Sequence, residues 1–288
     1  MRKIHILPNL LTLANAFCGL LAIAKGIDAL TGDPAVFHQK VETACWLIFL
    51  GMVFDAVDGK VARMVGGASN FGAQLDSFSD MLTFGVAPGL IAKVLVEHEA
   101  LSFGYPANQR LDFIAAAVFA VMAILRLARF NLENEPDDSA HTSFNGLPSP
   151  AAAGAVSASM LMYLSLRYPA IEVSDGSPTP LGGALQRLFP RVDQDPGLVW
   201  FLPAITAMLP LLGLLMVSRF RYVHMFSALT GRGQFVTLVS LVCGALCLFL
   251  APVLAVFAVF NGYVVIGFAL ALARARRAPP REEALEPR

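Results

Sequence analysis

The chain has 288 residues and no net charge at pH 7; 56% of its residues are hydrophobic and 15% charged. A soluble domain of this length carries about 25% charge, and a neutral chain lacks the electrostatic footprint that nucleic acid demands. A mean hydropathy of +0.64, concentrated in long apolar runs, excludes a soluble globular domain.

Runs of about 20 apolar residues each suffice to cross a bilayer core of roughly 30 Å. In chain order they fall near 9–30, 41–64, 72–96, 111–130, 148–168, 198–218, 234–251 and 253–273. They predict an all-α, polytopic transmembrane helical bundle of about eight membrane helices, with no internal repeat. The basic start Met1-Arg2-Lys3 leads into a run too long for a signal peptide, and no small-residue cleavage site closes it. Between the second and third runs, Gly66, Gly67, Ser69 and Asn70 read as a tight turn. Residues 131–147 form an acidic loop with Glu133, Glu135, Asp137 and Asp138, and 169–197 form a Pro/Gly-rich connector. Ala251-Pro252 implies a tight hairpin before the last run, and the charged segment from Arg274 reads as a disordered tail.

The cysteines and histidines look inert. Cys18, Cys45, Cys243 and Cys247 lie inside apolar runs, and nothing near the last two completes a metal site, so all four read as small apolar filler. His5, His38, His98, His141 and His224 stand at loops or run ends and read as surface residues.

Loop charge orients the bundle. With a cytoplasmic N-terminus, the inner side receives Arg2, Lys3, Lys60, Arg63, Arg126, Arg129, Arg219, Arg221, Arg232, Arg274, Arg276, Arg277, Arg281 and Arg288, 14 of the 21 cations. Both termini are therefore expected in the cytoplasm.

Four carboxylates break the apolar pattern: Asp55, Asp58, Asp76 and Asp80. An Asp at mid-bilayer costs about 2.5–3.5 kcal/mol, so four unpaired ones would cost roughly 10 kcal/mol. Lys60 and Arg63 are too few to neutralise four acids, and a divalent metal is the natural remedy. Asp55 and Asp58 are three apart, Asp76 and Asp80 four apart, so each pair projects from one helix face. The turn between them makes the two helices antiparallel, with the pairs facing each other near the cytoplasmic surface. Ligation by oxygen alone suits Mg²⁺ or Mn²⁺. Four carboxylates can hold two ions about 3.5–4 Å apart, a clamp for phosphate during in-line displacement.

The stretch Asp55-Ala-Val-Asp58-Gly59-Lys-Val-Ala62-Arg63, eight further residues, Gly72, then Asp76 and Asp80, each after three intervening residues, resembles the CDP-alcohol phosphatidyltransferase signature at every fixed position. The resemblance implies a six-helix membrane core that moves a phosphatidyl group from CDP-diacylglycerol to an alcohol. It implies that Asp55, Asp58 and Asp76 hold metal, and that Asp80 both binds metal and acts as general base. Gly59, Ala62 and Gly72 lack bulk on the same faces, so a nucleotide diphosphate can approach the backbone there; Arg63 can meet phosphate oxygens in a fork.

Further stretches resemble the serine-transferring branch of that family: Pro8-Asn9-Leu-Leu-Thr12-Leu-Ala-Asn15, Arg126-Leu-Ala-Arg129-Phe-Asn131, Phe144-Asn-Gly146-Leu-Pro148-Ser149-Pro150 and Ser218-Arg219-Phe-Arg221-Tyr222. They imply L-serine as acceptor. Arg126 and Arg129, three apart at a cytoplasmic helix end, can bind a carboxylate, though the pair equally reads as a topology anchor. Asn131 and Ser149 can add polar contacts, and Pro148 and Pro150 suit a helix start. Other acceptors in the same family are glycerol 3-phosphate, inositol phosphate and choline. Intramembrane acids also mark divalent-cation transporters, but those often show repeats and acids at mid-membrane, and this chain shows neither.

The expected organisation is a transferase domain over 1–225, two additional helices over 226–273 and a cytoplasmic tail over 274–288. A bacterial inner membrane is the expected setting. The family resemblance implies a homodimer, with the small-residue pair Gly85 and Gly89 as a contact stripe.

Overall fold

The structure is a computed structural model that describes residues 6–33, 36–64, 70–104, 108–133, 143–168, 196–218, 220–223 and 234–277. The expected runs are all helical. They are α1 (Ile6–Thr31), α2 (Phe37–Met64), α3 (Asn70–Asp80), a π-helical segment (Met81–Val86), α4 (Ala87–Ser102), α5 (Gln109–Glu133), α6 (Ser149–Arg167), α7 (Phe201–Val217), α8 (Gln234–Leu250) and α9 (Pro252–Arg277). A short 3-10 turn, Pro196–Trp200, leads into α7.

Among the described residues, six helical stretches are long and apolar enough to cross a membrane: Ile6–Thr31, Asn70–Ser102, Gln109–Leu132, Ser149–Arg167, Gly197–Val217 and Pro252–Ala273. The other two expected spans are also helices, of 28 residues for α2 and 17 for α8. At 1.5 Å per residue α2 is long enough, but Asp55, Asp58 and Lys60 interrupt its apolar stretch. The chain is an integral membrane protein. Large side chains such as Leu13, Phe17, Leu20, Ile114 and Val121 face outward, where acyl chains are as apolar as the side chains themselves.

Small residues bring the helices together. α6 is the central helix, buried along nearly its whole length and built largely from Ala, Gly and Ser. It packs on α2, α4, α7 and α9, while α1 makes its broadest contact with α2. Gly85 and Gly89 are buried against Ala123 and Ala116 of α5. That stripe therefore closes the chain on itself rather than facing outward as a contact between copies.

The all-α architecture carries one small addition, an antiparallel ribbon of β1 (Ser143–Asn145) and β2 (Arg221–Val223). Gly146, at φ 88°, turns the chain out of β1, and its N–H donates to Phe220 O at 2.8 Å. The N–H of Leu147 donates to Leu215 O at 3.0 Å. The connector is thereby fastened to the end of α7. Pro148 then occupies the cap of α6 and Pro150 its first turn, as their fixed φ favours.

Where a tight hairpin is expected, a single residue joins α8 to α9 and helical i to i−4 bonds run through it, so α9 continues α8 rather than folding back on it. The Ala251 N–H donates to Cys247 O, and its carbonyl accepts from the Ala255 N–H, each at 2.9 Å. The long Pro/Gly-rich connector from 169 to 195, the tail beyond 277, the turn residues 65–69 and His5, His141 and His224 lie outside the described residues.

Candidate active site

The four carboxylates gather at one end of the bundle. Asp55 and Asp58 sit near the C-terminal end of α2, Asp76 and Asp80 on the short α3. Carboxylate oxygens of Asp55, Asp76 and Asp80 lie within 4.8 Å of one another. Asp58 is next to them but differently engaged: Thr12 Oγ1 donates to its Oδ2 at 2.8 Å.

Polar residues of α1 set this geometry. Asn15 Nδ2 donates to Asp80 Oδ1 at 3.1 Å, which fixes the direction of the Asp80 carboxylate. Backbone carbonyls of α1 hold α3 and the π segment in return. Ser79 Oγ donates to Thr12 O at 3.0 Å, and Thr83 Oγ1 to Asn15 O at 2.9 Å. Thr12, Asn15, Asp58, Ser79 and Thr83 are all buried, where an unmatched polar group is costly, so these bonds specify one arrangement.

The helices can approach this closely because of two glycines. A Cβ on Gly19 of α1 would lie 2.9 Å from the Thr83 Cα, and one on Gly51 of α2 would lie 2.6 Å from the Thr83 Cγ2. Asp80 ends α3, and the π-helical turn begins at the next residue. The wider turn shifts the register between the carboxylate face before it and the packing face of α4 after it.

The site fits a divalent cation. Among the described residues, no Lys or Arg forms an ion pair with any of the four carboxylates; Arg63 instead donates its Nε to Gly59 O at 3.0 Å. Three carboxylates with oxygens within 4.8 Å of one another form an all-oxygen donor set of the kind Mg²⁺ and Mn²⁺ prefer. Gly59 lies on the exposed side of α2, and a Cβ there would meet nothing within 4 Å. The helix thus presents an open wall beside the carboxylates, with Ala62, Arg63 and Gly72 next to it in sequence or on the facing helix.

The candidate acceptor residues are distributed unevenly. Arg126 Nη1 donates to Ser149 Oγ at 2.9 Å, while its buried Nε has no hydrogen-bond partner. Arg126 lies within electrostatic reach of Asp80 and of Tyr263 on α9. Asn131 Nδ2 donates to Ser77 Oγ at 2.9 Å, next to Asp76. Arg129 turns elsewhere, with Nη1 3.5 Å from Val217 O. The structure thus brings Arg126, Asn131 and Ser149 to the carboxylate end and directs Arg129 toward the end of α7.

Thr12 and Asn15 were visible in the sequence as polar residues three apart in an apolar run, yet their contacts to Asp58 and Asp80 follow only from the packing of α1. Reading the histidines as dispersed surface residues is incorrect for two of them. Half-buried His38 and His98 converge on the fully buried Glu99 at the far end of the bundle. Helix ends distant in sequence meet there, which spacing along the chain does not reveal.

Comparison with known proteins agrees with this geometry. The family profile for CDP-alcohol phosphatidyltransferase matches residues 5–179. A CDP-diacylglycerol–serine O-phosphatidyltransferase of Helicobacter pylori is 32% identical over 222 residues, covering 77% of this chain and 73% of that protein. The enzyme of the same description from Bacillus subtilis is 31% identical, covering 60% of this chain and 82% of its own. One from Saccharomyces cerevisiae is 35% identical, covering 54% and 53% respectively. The match takes in α1 to α6, and with them the whole carboxylate cluster and the α1 residues that orient it; the chain belongs to the CDP-alcohol phosphatidyltransferase family.

Proposed function

We propose that the chain transfers the phosphatidyl group of CDP-diacylglycerol to the hydroxyl of L-serine, giving phosphatidylserine and CMP. The observation that carries this reading is the convergence of Asp55, Asp76 and Asp80 beside an open glycine wall, in a chain whose relatives bear that activity in their names.

Asp55, Asp76 and Asp80, with Asp58 beside them, would hold Mg²⁺ or Mn²⁺. Three convergent oxygens suffice for one ion, and a second would draw on Asp58, whose Oδ2 is already bonded to Thr12. A divalent cation bound there supplies positive charge against the diphosphate and against the charge that builds on departing CMP. Gly59, Ala62 and Gly72 leave room for the nucleotide diphosphate, and the terminal nitrogens of Arg63 serve its oxygens.

Asp80 is the general base. It accepts the serine hydroxyl proton as that oxygen bonds to the lipid-side phosphorus and the bond from phosphorus to CMP breaks. Asn15 holds Asp80 in direction for that transfer. Arg126, braced by Ser149, takes the serine carboxylate, and Asn131 lines the approach. Arg129 is an anchor.

The transferase domain is 1–225, with 226–273 as two further helices and 274–288 as a cytoplasmic tail. The protein works as a homodimer in a bacterial inner membrane, with the site and both termini at the cytoplasmic face. The Lys/Arg asymmetry supports that orientation.

The deciding experiment offers the purified protein CDP-diacylglycerol with equal serine, glycerol 3-phosphate, inositol phosphate and choline, and follows lipid product and CMP. Phosphatidylserine should dominate. Preference for another acceptor overturns the serine assignment alone. No CMP release with any acceptor, together with divalent-cation uptake in proteoliposomes, would make the chain a transporter instead.

A further inference from the structure

At the opposite end of the bundle from the carboxylates, Glu99 is completely buried near the C-terminal end of α4, while His38 stands in the first turn of α2 and His98 beside Glu99. His38 and Asp55 stand seventeen positions apart on α2, a distance of about 25 Å along the helix. Two imidazoles aim at one carboxylate oxygen. His38 Nε2 is 3.1 Å and His98 Nδ1 3.4 Å from Glu99 Oε1. Tyr168 Oη lies 3.1 Å from the same atom.

We propose that His38, His98 and Glu99 form a second metal site, distinct from the carboxylate cluster, that takes Zn²⁺. Three groups crowd Oε1, an atom with two lone pairs. Two imidazole nitrogens and a carboxylate converging in this way make a donor set for a borderline cation. In a tetrahedral zinc site with bonds of about 2.0–2.1 Å, neighbouring ligand atoms lie about 3.3–3.4 Å apart. The separations of 3.1 and 3.4 Å bracket that value, and one atom from each of the three residues falls within 4.8 Å of the others.

The surroundings act on the ligands as supports do in metal sites. Tyr163 Oη donates to Glu99 Oε2 at 2.7 Å, and Arg167 Nε stands 3.7 Å from the same oxygen. They hold Oε2 and leave Oε1 facing the imidazoles. The Phe37 ring stacks on His98, and the Tyr168 ring lies over His38, each with centroids 3.5 Å apart. His98 is 31% exposed, which leaves an entry path, and Tyr168 Oη borders the position a fourth ligand would fill. Such an ion would tie α2, α4 and the end of α6 together at the face away from the chemistry.

The test uses the full-length chain with its affinity tag removed, dialysed against Zn²⁺ and then against metal-free buffer. About one zinc per chain should remain. Its X-ray absorption fine structure should show two imidazoles, and Co²⁺ loaded instead should give the visible bands of a tetrahedral site. Asp55→Asn should retain that zinc. His38→Ala and His98→Ala should lose it and lose the zinc-induced rise in Tm, while keeping serine transfer with Mg²⁺. Absence of retained zinc, a zinc shell without imidazole, or undiminished zinc in the histidine variants overturns the site. Should either variant aggregate, the absorption spectrum of the wild type decides alone.

Discussion

Replacing Asp55 with Asn should make the protein more stable without metal and inactive with it. Oxygens of Asp55, Asp76 and Asp80 lie within 4.8 Å of one another. At an effective dielectric of about 20, each such pair repels by about 3.5 kcal/mol, and in a fully aqueous dielectric by about 1 kcal/mol. The three side chains are only partly buried, so solvent screening places the true figure between those limits. Asp55 takes part in two of the three pairs, so its neutral isostere relieves about 2–7 kcal/mol. With a few degrees of Tm per kcal/mol, Asp55→Asn in EDTA at pH 8 should melt several degrees above wild type. Added Mg²⁺ should raise the wild-type Tm strongly and the variant Tm little, reversing their order. The assay is thermal unfolding in detergent across a Mg²⁺ titration, beside CMP release. A variant that melts below wild type in EDTA, or a wild type indifferent to Mg²⁺, would refute a cation held by these carboxylates.

Asp80→Asn should lower turnover by about 10²–10⁴-fold, the usual cost of losing a general base, while CDP-diacylglycerol binding, read by equilibrium titration, survives. Thr12→Val removes the donor to Asp58 Oδ2; the Mg²⁺ concentration for half-activation should rise about 10- to 100-fold, with the rate at saturating Mg²⁺ nearly restored. Arg126→Ala should raise the serine KM by about 10- to 100-fold, as loss of a charge-assisted bond of about 1.5–3 kcal/mol implies. Arg129→Ala should leave that KM in place, and equal effects from the two would discard the distinction drawn from Ser149 and Val217.

The helices were legible because a bilayer enforces long apolar runs, and the carboxylate cluster because an acid inside such a run is too costly to stand there uncompensated. Asp55, Asp58, Asp76 and Asp80 stand out one by one, and their three- and four-residue spacing already gives their faces. The residues that aim them are harder to read. A Thr or Asn in an apolar helix can bond its own preceding carbonyl, as Thr12 also does with Pro8 O at 3.1 Å, so its presence names no partner. The π-helical turn after Asp80 leaves no periodic mark over six residues. The ribbon that seats Ser149 under Arg126 joins segments more than seventy residues apart, beyond the reach of local pattern. His38, His98 and Glu99 were missed for the same reason, since only the crossing of α2, α4 and α6 makes them neighbours.

The small residues carry two roles that the sequence presents alike. Gly59 is open on its Cβ side, so its lack of a side chain serves whatever approaches from outside the helix. Gly19 and Gly51 are closed on theirs, occupied by Thr83. Thr83 in turn bonds Asn15 O, and Asn15 bonds Asp80. The Asp80 carboxylate is therefore positioned by a chain of contacts that exists only where α1 and α2 both admit the π segment to near backbone contact. A Cβ at Gly51 would press on Thr83 and would stand 2.9 Å from Asn15 Oδ1. A larger residue there would so reach Asp80 through two neighbours without touching substrate. The geometry of the carboxylate cluster depends on helix spacing, because the carboxylates sit on separate helices whose approach the glycines of α1 and α2 determine.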